Sequence, residues 1–159
     1  MTSSRMTNDK QALLRAAIAA VRHCADQMEA QATGLLEALP KAAISEALRA
    51  SALELAGGLK DASGRVTFEL ALLQAELADE TTAPATAVKR LSAMDATMMA
   101  AVAALTDVVD QLEAAAERDE RYEPAFVLVI EATGVLLQAL GEARAATEAL
   151  GAAMRVVPS

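Results

Sequence analysis

Three prolines divide this chain of 159 residues into segments of similar length. Pro40, Pro84 and Pro124 stand about forty residues apart. Proline breaks the interior of a helix but suits its first turn. Between the prolines the chain is rich in leucine and contains 40 alanines, and both residues are strong helix formers, while β-branched residues are sparse. The sequence therefore predicts an all-α protein whose helices are joined by short turns at the prolines.

The four segments each carry an apolar stripe, with apolar residues three and four positions apart. The predicted helices span about residues 9–39, 41–79, 84–119 and 124–157, with residues 1–7 as a disordered N-terminus. Asn8 is the expected N-cap of the first helix, and Thr81 or Thr82 of the third. Helices of similar length joined by short turns predict one domain, residues 1–159, folded as an antiparallel up-down-up-down four-helix bundle.

The second segment permits two interpretations. Gly57, Gly58 and Gly64 would ordinarily indicate a break between helices. The apolar stripe nevertheless keeps its phase from Ile44 to Leu77, and two helices joined by a loop have no reason to share a phase. We favour one long helix, either straight or kinked at Gly57-Gly58. A break there would give five helices in an irregular bundle.

The chain repeats a phrase, QATGLLEALP at residues 31–40 and EATGVLLQALG at residues 131–141. In an antiparallel bundle both phrases fall near the same end of neighbouring helices. We interpret them as one packing solution used twice, in which Gly34 and Gly134 let two backbones approach closely. An ancestral duplication and a paired ligand site are the alternatives.

Charge and cysteine usage restrict the partners and the compartment. The net charge is −8, with 14 basic residues against 22 acidic, which disfavours nucleic acid and anionic lipid. Cys24 is the single cysteine and fits a reducing compartment. The longest apolar run, residues 125–141, contains Glu131 and Gln138 and is shorter than the ~20 residues of a membrane span. A cytoplasmic protein outside the membrane is predicted.

Catalytic and metal-binding patterns are missing from the sequence. His23 is the single histidine, and its neighbour Cys24 points about 100° away on a helix, so the two cannot pair as base and nucleophile. The His-x-x-Lys-Gly pattern of phosphotransfer bundles fails at Asp26 and Gln27. Spacings for zinc, haem, di-iron and phosphate-loop sites are missing too. We expect no enzyme activity, no cofactor and no metal.

Two carboxylates interrupt apolar runs, Asp95 and Glu131. In an antiparallel pair that turns near Arg121, they would lie roughly 25 Å apart along the bundle. They cannot share one metal ion or one proton, so each is expected at the edge of the core or beside a cation.

Apolar residues exceed the needs of one core at AFVLVI, residues 125–130. Successive residues point about 100° apart, so this run surrounds the helix. We predict contact with another protein or a second copy, unless the run is buried beneath a neighbouring turn or the second helix. The candidate interface residues are Tyr122, Phe126, Val127, Leu128 and Ile130.

Methionines gather at the opposite end of the predicted bundle. They fill irregular gaps in cores, and they also line adaptable binding sites. Core filling is the first interpretation and an apolar pocket the second. The candidate pocket residues are Met94, Met98, Met99 and Met154.

The function predicted from these features is that of a non-enzymatic interaction module, such as an adaptor, chaperone or regulatory bundle. We expect it to form a homodimer or to bind a helix of another protein. The alternative is a helical bundle that binds a small apolar ligand.

Overall fold

A computed structural model describes residues 7–155 and contains four long helices, as predicted. Their bounds are Asn8–Ala38 (α1), Glu46–Ala78 (α2), Pro84–Arg118 (α3) and Glu123–Arg155 (α4). Short 3₁₀ turns, Leu39–Lys41 and Glu120–Tyr122, join α1 to α2 and α3 to α4. The predicted disorder of residues 1–7 and the predicted helix end at residue 157 lie outside the described residues, apart from Thr7.

The helices form an antiparallel four-helix bundle. α1 packs against α2 and α4, and α3 packs against the same two helices, so α2 and α4 occupy opposite corners. One continuous apolar core runs the length of the bundle. Its largest fully buried side chains are Met28, Leu35, Leu39, Leu59, Leu70, Leu73, Leu91, Met94, Met98, Leu105, Leu112 and Leu136.

α2 continues through its glycines as one helix. Ala56 and Leu59 are buried on either side of Gly57-Gly58, so the core contacts hold the same phase across the pair. Further along, the Ser63 hydroxyl donates a 2.7 Å hydrogen bond to the Ala25 carbonyl oxygen of α1. Burial on both sides of the glycines outweighs their low helix propensity, and the bundle has four helices rather than five.

The start of α2 and the caps of α1 and α3 differ from the sequence-based expectations. Thr7, not Asn8, caps α1, and its Oγ1 accepts a 3.3 Å hydrogen bond from the Lys10 amide. α2 begins at Glu46 rather than residue 41, because the Ser45 side chain accepts from the Leu48 amide and caps the helix there. The N-cap position of α3 is Ala83, which supplies no side-chain hydrogen bond.

Thr81 and Thr82, expected to cap α3, instead bond back to Glu76 in α2. The Thr81 hydroxyl donates to the Glu76 carbonyl oxygen, and the Thr82 hydroxyl donates to its carboxylate, both at 3.2 Å. Glu76 also pairs with Arg90 of α3. The threonines therefore close the end of α2, while the fixed φ of Pro84 begins α3.

Hydrogen bonds to backbone carbonyl oxygens hold the loops at both ends of α2. α2 ends with Glu80 in the left-handed region, at φ 58°, and with hydrogen bonds from the Glu80 amide to Leu77 and from the Thr81 amide to Glu76. This is the Schellman arrangement, which satisfies the last carbonyl oxygens of a helix. In the α1–α2 loop, Arg49 donates to the carbonyl oxygens of Ala42 and Ile44.

Candidate functional site

The outward side of α4 exposes large apolar side chains. Val127, Ile130 and Leu137 are exposed, and Gly134 and Gly141 lie among them on the same side. We call these five residues the α4 outer face. Large contiguous patches of exposed apolar surface on soluble proteins mark contact sites, so this face is a candidate for one.

Charged residues are almost absent from this part of α4. Between Pro124 and Gly141 the only charged residue is Glu131, although about half of the positions are exposed. The outward side of neighbouring α1 shows the ordinary pattern, because Arg15, Arg22 and Asp26 are exposed there. The α4 outer face therefore departs from the polar surface that solvent favours.

The glycines in the repeated phrases do not bring α1 and α4 together, and that expectation was wrong. Gly34 and Gly134 are both exposed, and a Cβ added at either would meet no atom within 4 Å. The buried positions of the phrases are Ala32 and Leu35 on α1 and residues such as Leu136 on α4. The period of 3.6 residues that buries these positions turns the glycines outward.

The structure separates the predicted interface residues into two groups. Val127 and Ile130 are exposed on the α4 outer face. Tyr122, Phe126 and Leu128 are partly buried and pack against the core. Sequence reasoning missed the rest of the face, including Leu137, which is 48% exposed. The seven-residue spacing of Ile130 and Leu137 was the available signal.

A smaller apolar patch lies at the opposite corner of the bundle, on α2. Phe68 is 65% exposed and Leu72 is 45% exposed. Phe68 lies in a shallow depression whose lining also includes the charged residues Lys60, Asp61, Arg65 and Glu69. This patch contains only two large side chains and is bordered closely by charges.

A cleft of about 490 Å³ lies between α3 and α4 near the end opposite Phe126. Asp95, Met99, Arg144 and Glu148 are among its lining residues. If α3 and α4 run antiparallel and turn near Arg121, Asp95 lies level with about residue 147. The position of the turn in the sequence could therefore have predicted that Asp95 lies near Arg144.

Asp95 is the charged residue of the core edge, with 9% of its surface exposed. The Nε of Arg144 lies 4.0 Å from its Oδ2, and Oδ1 is buried without a hydrogen-bond partner among the described residues. Burial raises the pKa of the Asp95 carboxyl, the nearby Arg144 opposes this rise, and Glu148 adds to it. Asp95 therefore lies at the edge of the core beside a cation, as expected from the sequence.

The candidate pocket methionines lie in different environments. Met94 and Met98 are fully buried in the core, where they fill the space between helices. Met99 lines the α3–α4 cleft, and Met154 is partly buried against the core. The cleft thus has one methionine wall and several charged residues rather than a purely apolar lining.

The remaining reactive residues are far from any catalytic arrangement. His23 and Glu131 are exposed, and within residues 7–155 no three metal-binding side chains cluster. Cys24 is fully buried, and burial, followed by the negative charge of Asp95, raises the pKa of its thiol to about 11. The thiol stays protonated at neutral pH and is a poor nucleophile.

Two helices, α3 and the segment Glu120–Arg155 that includes α4, are long and apolar enough to cross a membrane by length and composition. Core helices of water-soluble bundles meet the same criteria. In the bundle, 33% and 39% of the most apolar windows of these helices are buried.

Comparison with protein-family models, curated proteins and solved structures gave no match for this chain. Its function is therefore argued from its own surface.

Proposed function

We propose that this protein is a non-enzymatic interaction module that associates with a second copy of itself through the α4 outer face. The single observation that carries the proposal is the exposure of Val127, Ile130 and Leu137 in a stretch with one charged residue. Burial of such side chains contributes about 25 cal/mol per Å² of apolar surface. A second copy of the same chain can cover this face, so no other protein is needed to bury it. The cytoplasmic location expected from the sequence stays a prediction.

A protein surface fits this face better than a lipid surface. Glu131 and Gln138 lie within the exposed stretch, where a polar partner group can satisfy them but a hydrocarbon layer cannot. The net charge of −8 also repels anionic headgroups. These two facts favour a protein partner over a membrane.

The test measures molecular mass by sedimentation equilibrium at several concentrations, for the full chain and two variants. Leu137→Lys places a charge on the α4 outer face, and Leu72→Lys is its matched control, because Leu72 is exposed to a similar degree on the opposite corner. We expect a dimer for the parent chain and for Leu72→Lys, and a monomer for Leu137→Lys, with circular dichroism showing a folded helix in all three.

Other outcomes overturn the proposal. A parent chain that stays monomeric to high micromolar concentration removes self-association. Dissociation by Leu72→Lys alone moves the interface to α2. Co-sedimentation of the parent chain, but not of Leu137→Lys, with neutral phosphatidylcholine vesicles would make the face a membrane contact.

The α3–α4 cleft favours a second candidate function, the binding of a small molecule. Its volume is within the range of ligand sites, and the buried Oδ1 of Asp95 has no hydrogen-bond partner within residues 7–155. The apolar residues of the lining, such as Met99, and its charged residues together favour an amphipathic ligand that carries a hydrogen-bond donor. A native mass spectrum of the purified protein tests this, since a bound mass that is lost on denaturation supports it, and its loss in Met99→Lys assigns it to the cleft.

A further inference from the structure

We infer that two copies of α4 pair antiparallel, with Gly134 of each copy beside a twofold axis. This inference rests on the proposed self-association and adds its geometry. It follows from the order of residues in three rows along the exposed side of the helix.

Residues seven apart lie nearly above one another on a helix, with a drift of about 20°. The central row is Val127, Gly134 and Gly141. A second row, displaced toward α3, contains Glu123, Ile130, Leu137 and Arg144. A third row, on the other side, contains Glu131 and Gln138.

The second row is complementary to itself when it is reversed. Its order is acidic, apolar, apolar, basic, so an antiparallel copy sets Glu123 against the partner's Arg144 and Ile130 against the partner's Leu137. A twofold axis perpendicular to both helices keeps equal rows on the same side of the interface, and each contact is made twice. The row is centred between residues 133 and 134.

The other two rows have nearly the same centre. In the central row, Val127 meets the partner's Gly141, and Gly134 meets its own copy. In the third row, Glu131 meets the partner's Gln138, whose side-chain amide can donate to the carboxylate. Between residues 123 and 144, the three rows therefore specify one register to within a residue.

Arg144 can take part in this pairing by exchanging the two ion pairs that it makes within its own chain. Its side chain is 56% exposed, and its Nε lies 4.0 Å from Asp95 and 3.6 Å from Glu148. Both distances exceed a hydrogen bond. Rotation of this long side chain toward Glu123 of a second copy therefore breaks no hydrogen bond.

A parallel pair is disfavoured by the same rows. A twofold axis along the helices would place equal rows on opposite sides of the interface, so that Ile130 lies beside the partner's Glu131 and Leu137 beside the partner's Gln138. Glu123 and Arg144 would then meet no residue of opposite charge. The glycines agree with a close antiparallel contact, because nothing in the described chain fills the space above Gly134 or Gly141.

Single cysteines test the register in the full chain under mild oxidation. Gly134→Cys should form a covalent dimer, since the two copies of residue 134 are adjacent. Gly141→Cys alone should not, because its copies lie 14 residues or about 21 Å apart along the pair. A mixture of Gly141→Cys and Val127→Cys should form a disulfide between unlike chains. The native Cys24 is buried and does not interfere.

Each result decides a separate statement. Efficient cross-linking of Gly141→Cys alone overturns the antiparallel pairing in favour of a parallel one. A dimer by sedimentation in which none of these cysteines cross-links overturns the register but keeps self-association. A parent chain that is monomeric overturns the proposed function as well.

The charge pair gives an independent readout. Glu123→Arg sets two basic residues against each other twice, so we expect the dimer to weaken by roughly tenfold at low salt. Glu69→Arg is the matched control, since it makes the same charge change at an exposed position of α2, at the opposite corner of the bundle. Equal effects of the two variants would overturn the assigned pair.

Discussion

Replacing Gly134 with alanine should strengthen the isolated fold while it weakens the dimer. An added Cβ at Gly134 meets no atom within 4 Å in the described chain, so the substitution makes no clash within the monomer. Alanine is favoured over glycine inside a helix by about 1 kcal/mol. For a chain of this size, that gain raises the midpoint of thermal unfolding by roughly 2–4 °C.

Gly34→Ala is the matched control for this substitution. Gly34 also follows Ala-Thr, is exposed within its helix and has the same open space above it, but it belongs to α1, four residues before that helix ends. We expect the same gain of about 1 kcal/mol in the free energy of unfolding. Only Gly134→Ala should raise the dissociation constant of the dimer, because its methyl group enters the contact between the two α4 helices.

The assay is urea unfolding followed by circular dichroism, at a concentration where sedimentation shows monomer, together with the dissociation constant of each variant. A loss of monomer stability in either variant would refute the argument from open space. A dimer that tolerates Gly134→Ala as well as Gly34→Ala would refute the close contact at residue 134.

Three further substitutions test the loops and the core edge. Glu80→Gly should raise the free energy of unfolding by about 1 kcal/mol, because glycine relieves the left-handed φ of 58°; Glu80→Ala should show no such gain in chemical denaturation. Arg49→Lys should lower it by about 1 kcal/mol, since one ammonium cannot reproduce the guanidinium bonds to the carbonyl oxygens of Ala42 and Ile44; an unchanged urea midpoint would contradict this. Asp95→Asn should raise the free energy of unfolding at pH 7 but not at a pH below the ordinary carboxyl pKa. The pKa of Asp95 is raised in the folded state, so ionisation of this carboxyl disfavours the folded state as pH rises. An equal gain at both pH values would exclude this cause.

Local chemistry determined most of the fold in advance. Alanine and leucine favour helices, the prolines mark the turns, and the phase of the apolar stripe carries α2 through Gly57 and Gly58. The helix starts were less predictable, since Ser45 and Thr7 compete as caps with several nearby polar residues. Which of them caps a helix depends on where the loop is anchored, as Arg49 anchors the loop between α1 and α2.

The direction in which each residue faces was decided only by the tertiary structure. The run from Phe126 to Ile130 surrounds its helix in any fold, and its sequence cannot tell which side the neighbouring helices cover. The same holds for Gly34 and Gly134, which the packing turns outward. A helix's period relates its own residues to one another, but the rotation of that helix about its axis is set by the two neighbouring helices that pack against it. That rotation exposes Leu137 and buries Leu136.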